Sequence, residues 1–131
     1  MMDDMLAFEN MEKMLDSDDA VRGCKALYRY IMDNESATHV TLAGACKVLN
    51  NSYDPRVVFS CLWALSNTPF EVLIPRYEFH DDEGGIHPLT ASDVWEAKRH
   101  GSMPHPETGN LLEDYEDKVF LYFCPNRGRE R

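Results

Sequence analysis

The signatures of catalysis are what this chain lacks first. Its 131 residues contain no G-x-S-x-G, no G-x-x-x-x-G-K and no G-x-G-x-x-G, so no nucleophile elbow, nucleotide-phosphate loop or dinucleotide fingerprint is written. The four cysteines, Cys24, Cys46, Cys61 and Cys124, form no C-x-x-C pair, which removes the zinc knuckle and the thioredoxin-type motif. Three of them fall on apolar helical stripes and read as small buried hydrophobes rather than nucleophiles. No apolar run approaches the ~18 residues of a membrane span. Internal repeats and low-complexity tracts are absent as well.

Positive charge is also scarce: 13 Lys and Arg stand against 23 Asp and Glu, a formal charge of −10. The balance is uneven, at −6 over residues 1–19, +2 over 20–67 and −6 over 68–131. Nucleic-acid binding takes most of its affinity from phosphate neutralisation, so a chain this acidic is a poor general DNA binder unless its bases share one face. The acidic start MMDDMLAFENMEKML is unlike a basic signal or transit segment. A cytoplasmic protein with no membrane partner is expected.

What the chain does have is 44% hydrophobic residues, enough for one packed domain at the usual ~100–200 residues. Leu6, Met11, Met14 and Leu15 predict a Met-rich amphipathic helix between Asp3 and Leu15, able to pack on its own domain or to form a homo-oligomer contact. A second helix over 18–34 carries Val21, Cys24, Leu27, Tyr28 and Ile31 on one face. Thr41 caps a third, over 41–50, and Asp54-Pro55 opens a fourth, over 54–66, with Val58, Cys61, Leu62 and Leu65 aligned. The pattern then becomes extended in FEVLIPRYEF, residues 70–79, where Pro75 places the strand at an edge or breaks it. Thr90, Asp93 and Gly101 delimit a capped helix, and KVFLYFCP, residues 118–125, is a final strand. The expected fold class is therefore α+β, with helices packed on a small antiparallel sheet. Residues 1–16 form its leading helix, 17–125 the domain and 126–131 a basic flexible tail.

Three short helices followed by a strand and a Gly-rich turn resemble a winged helix-turn-helix: residues 18–34, 41–50 and 54–66, then 70–79 and Gly84-Gly85. The resemblance rests on element order. It implies a recognition helix starting at Asp54 and, as the family's usual activity, DNA binding by a transcriptional regulator, here through Arg22, Lys25, Arg29, Lys47 and Arg56. The chain departs from that pattern at both elements that would touch DNA. Trp63 and aliphatic residues dominate the helix, and the wing tip HDDEGG would repel phosphate.

A protein partner is thus expected before a nucleic acid. The partner face is assigned to Arg56, Ser60 and Trp63 and to the acids Asp81, Asp82, Glu113, Asp114, Glu116 and Asp117. The last four, in LLEDYEDK, could dock a basic surface or imitate the phosphates of a nucleic acid. The bland alternative is a solvated acidic segment around Tyr115. The stretch HDDEGGIHP raises a metal site, but neither EF-hand register fits it. His80 and His87 with Asp82 or His105 have no spacing that forces them together. The expectation is a polar turn with no metal, no cofactor and no enzyme activity: a regulator, adaptor or inhibitor that works by binding protein.

Overall fold

A computed structural model describes residues 4–67 and 69–127. Among the described residues the architecture is α+β, with five α-helices and a three-stranded antiparallel sheet in which β1 (Leu73–His80) lies between β2 (Ile86–Leu89) and β5 (Val119–Pro125). The chain divides into two compact units. The first takes Met1–Pro75 and Phe123–Arg131, and the second is the continuous stretch Arg76–Tyr122.

The first unit is built by four helices: α1 (Asp4–Met14), α2 (Asp18–Asp33), α3 (Leu42–Val48) and α4 (Pro55–Ser66). Each of the last three starts where a side-chain oxygen satisfies an otherwise unpaired amide. Ser17 Oγ accepts from Ala20 N, Thr41 Oγ1 from Gly44 N, and Asp54 Oδ1 from Arg56 N, with Pro55 at the first helical position. The apolar stripes face inward: Cys24, Leu27, Tyr28 and Ile31 of α2 and Val58, Cys61, Leu62 and Leu65 of α4 are all buried. Each large aliphatic so buried stabilises the unit by roughly 1.5–3 kcal/mol. A hydrogen bond with Cys61, with burial adding to it, pushes the Cys24 thiol up from its ordinary range. That thiol is core, not nucleophile.

The Met-rich helix α1 packs within its own unit. Ala7 and Met11 are buried, and the Phe8 ring meets Tyr28 edge-on at 5.9 Å beneath the cations of Lys25 and Arg29. Helix α3 stops earlier than its stripe suggests because Asn50 and Asn51 both adopt left-handed backbone, at φ 56° and 54°. The same unit takes back the chain's last described residues. Val40 and Phe123 exchange backbone hydrogen bonds of 2.7 and 2.8 Å, Asn126 N donates to Val72 O, and Arg127 Nη2 donates to Ile31 O and Asn34 O at the end of α2. Asn126 and Arg127 are held in place in this way. Residues 128–131, the rest of the expected tail, lie outside the described residues.

Strand β1 (Leu73–His80) begins later than residue 70, since the amides of Phe70 and Glu71 both donate back to Asn67 O and close a turn. Within the second unit its residues Tyr77–His80 pair antiparallel with β2 (Ile86–Leu89). β1 is the middle strand, not an edge, yet Pro75 lies outside the stretch that pairs with β2, so its missing N–H costs no bond there. After β2 come α5 (Ala91–His100), a small hairpin of β3 (Met103–Pro104) and β4 (Leu111–Leu112), a 3-10 turn at Tyr115–Asp117, and β5 (Val119–Pro125). The capping box of Thr90 and Asp93 and the left-handed Gly101 at φ 73° bound α5 as its sequence specifies. One face of the sheet covers a core of Phe79, Ala97, Met103 and Tyr115, with Leu89, Leu112 and Val119 packed against it.

Candidate functional site

Two hairpin turns of the second unit bring four polar side chains together. In the β1–β2 turn, Asp81 Oδ1 accepts from the amides of Glu83 (2.9 Å) and Gly85 (2.7 Å), and Asp81 N donates to Gly85 O. An aspartate that captures its own turn in this way leaves only its second oxygen free. That oxygen, Oδ2, lies 3.0 Å from His87 Nε2. In the β3–β4 turn, His105 Nδ1 accepts from the amides of Glu107 (3.1 Å) and Thr108 (3.4 Å), which places the proton of the neutral ring on Nε2. The same turn carries Glu107 Oε1 to 3.4 Å from His87 Nε2 and leaves His105 Nε2 facing Asp81 Oδ2 at 3.9 Å.

The floor of this cluster is apolar. Phe79, fully buried, meets the His105 ring edge-on at 5.3 Å and the His87 ring at 6.1 Å. The Asp81, His87 and His105 side chains retain 11%, 18% and 19% exposure, and only Glu107 reaches into solvent. The hydrogen bond with His87, then that from the Gly85 amide, holds the Asp81 carboxyl below its ordinary range; desolvation acts the other way. Gly85 is required here, since a Cβ on it would stand 2.5 Å from Asp81 Oδ2. Beside the cluster lies a depression of about 250 Å³ whose walls include Asp81, His105, Glu107 and Lys118.

The register explains which histidines meet. Phe79 lies opposite His87 and His80 opposite Ile86, so His80 projects from the other face of the sheet, where it bonds Glu78 at 3.0 Å and its ring lies 4.5 Å from that of Phe120. Asp81, read from sequence as an acid at the turn tip, is folded into its own turn. Asp82 is exposed, and with Asp114 it flanks Lys118 Nζ at 3.3 and 3.2 Å. Those two carboxylates, Asp114 first, hold the Lys118 pKa above its ordinary value. Glu113, Glu116 and Asp117 are exposed around the buried Tyr115.

The other expected partner residues sit on α4 in the first unit. Arg56 is exposed and doubly bonded to Asp54, at 3.2 and 2.9 Å, and Ser60 Oγ donates back to Arg56 O. The Arg56 side chain and amide together depress the Asp54 carboxyl to about 2. Trp63 is half-buried between Phe59 and Phe123, with edge contacts of 5.9 and 5.4 Å. The bases nominated for DNA are largely engaged: Arg22 with Asp19 at 2.6 Å, Lys25 with Glu12 at 3.0 Å, Arg56 with Asp54, and Arg29 over the Phe8 ring.

Several surface residues escaped the sequence reading. On the open face of the sheet Ile86 is 59% and Phe120 47% exposed, beside His80, and Trp95 of α5 is 63% exposed. Strand alternation was the available signal for Phe120, because a run as apolar as VFLYFCP reads as buried on both faces. Glu107 carried no signal, as its meeting with His87 depends on how the β3–β4 turn folds back. Comparison with protein-family models, curated proteins and solved structures finds no match.

Proposed function

We propose that this chain is a protein-binding module, a regulator, adaptor or inhibitor, that docks a partner carrying a basic rim around an apolar contact. The observation that supports this reading is the asymmetry of the sheet in the second unit. One face covers the Phe79 core, while the other presents Ile86, His80 and Phe120 to solvent. An aliphatic and an aromatic side chain exposed on one sheet face, on the two outer strands with His80 between them, is the form of an apolar contact patch. Around them the second unit carries eleven acids against four bases, so electrostatics would steer a basic surface toward it.

A DNA-binding transcriptional regulator of winged-helix type remains the second reading. The order of α2, the bridge at Val40, α3, α4 and the β1–β2 hairpin supports it. The pairing of Arg22, Lys25 and Arg56 with neighbouring acids weighs against DNA as the ligand, since each pair would have to open to release a phosphate contact.

Affinity purification with the intact chain, after nuclease treatment, separates the two. A partner held by the wild-type chain should be lost from Phe120→Asp and from Ile86→Asp, and its binding should weaken between 50 and 500 mM NaCl as exposed charge contacts are screened, at an order of magnitude set by the Debye length. A partner held equally by wild type and both variants would count against the sheet face. A sequence-specific gel shift at low salt would favour the second reading instead.

A further inference from the structure

We propose that Asp81, His87 and Glu107 bind a divalent transition-metal ion of the zinc class, with one coordination position open toward the adjoining depression. Each residue offers one donor atom, and the three donors lie within 4.8 Å of one another. A tetrahedral site with bonds of about 2.0–2.1 Å has donors separated by about 3.3 Å. His87 Nε2 stands 3.0 Å from Asp81 Oδ2 and 3.4 Å from Glu107 Oε1, so both separations are already close to those of donors around one ion.

The donor set selects among cations. Calcium prefers six to eight oxygens and magnesium a strict octahedron of oxygens and waters, whereas one imidazole and two carboxylates suit zinc, cobalt or a similar ion. Asp81 serves as a one-oxygen ligand because two turn amides occupy Oδ1. His105 is excluded as an Nε2 ligand in this arrangement: its Nδ1 accepts backbone hydrogen bonds, so its Nε2 keeps a proton. That N–H faces Asp81 Oδ2 instead, the place of a group that orients a ligand from outside the coordination shell. Three protein ligands with a fourth position free is the arrangement of zinc sites that bind a water or small ligand, not of closed structural sites. The depression of about 250 Å³ supplies the approach.

Binding requires His87 Nε2 to give up its proton, since a metal-bound imidazole nitrogen carries none. The test uses the full chain stripped with chelator and titrated with Zn²⁺ by calorimetry at pH 7.5, with Co²⁺ as an absorbance probe. One equivalent is expected, with the visible bands of four- or five-coordinate cobalt. Glu107→Gln, at a side chain 68% exposed, and His87→Gln should each weaken uptake at least tenfold, while circular dichroism and a melt in chelator confirm that each variant is folded. Absence of stoichiometric uptake, or a fall short of tenfold in either folded variant, overturns the proposal. The outcome is independent of the docking face, which lies on the opposite side of the sheet.

Discussion

Phe79→Ala is expected to abolish the folded state of the Arg76–Tyr122 unit. The ring is fully buried at the centre of a core with only three other buried members, Ala97, Met103 and Tyr115. Truncating a buried phenylalanine costs about 3–5 kcal/mol, through lost transfer energy and the cavity left behind. A unit this short holds little in reserve, because a small chain buries a small share of its surface. The ring is also the floor on which His87 and His105 rest. Hydrogen exchange is the direct measurement: amide protection in β2 and α5 should collapse. Phe120→Ala provides the contrast, since Phe120 projects from the open sheet face at 47% exposure, and substitutions at such positions usually change stability by within about 0.5 kcal/mol. Protection that survives in Phe79→Ala would show that the core lies elsewhere.

Gly85→Ala should dismantle the His–carboxylate cluster without altering any of its polar groups. The added Cβ would stand 2.5 Å from Asp81 Oδ2, closer than non-bonded atoms approach, and 3.1 Å from His87 Nε2, a tight contact. The carboxylate must then turn away, and it cannot do so while keeping the amides of Glu83 and Gly85. Its neighbour sharpens the comparison. Gly84 has φ 92° and open space around its Cβ position, so Gly84→Ala meets only backbone strain, roughly 1–2 kcal/mol. Imidazole NMR signals of His87 should move in Gly85→Ala and stay in Gly84→Ala, and Zn²⁺ uptake should follow the same division. Identical His87 signals in the two variants would mean that the turn does not hold Asp81 against the ring.

The helices were legible because their boundaries are local chemistry. Ser17, Thr41, Asp54 with Pro55, and Thr90 with Asp93 each cap the helix that follows them in sequence, and the apolar stripes of α2 and α4 are buried as their periodicity predicts, except that Val21 is only half-buried. The short strands were not. β2 contains Pro88 and β3 contains Pro104, residues that read as turns, and these strands exist only because a partner strand supplies their hydrogen bonds. The candidate site lies beyond that same limit. Asp81 and the two glycines announced a turn, but not that the carboxylate would fold into it. Glu107 stands twenty residues from His87 in the chain, and only the β3–β4 pairing brings it back. Choosing between His80 and His87 needed the strand register, which a one-residue slip would have reversed.

The Val40–Phe123 bridge has a consequence in time. It joins residues 83 positions apart, and Phe123 also receives the edge of Trp63, while Asn126 and Arg127 close on Val72 and α2. During synthesis none of these contacts can form until residues 123–127 have left the ribosome, although the four helices emerge first. The continuous stretch 76–122 has no such wait, and its contacts close shorter loops, which favours earlier formation. Pulse-labelled exchange during refolding should therefore protect the amides of β2 and α5 before those of Val40 and Phe123. Until its last strand arrives, the first unit is a set of helices with an unfilled place beside Trp63.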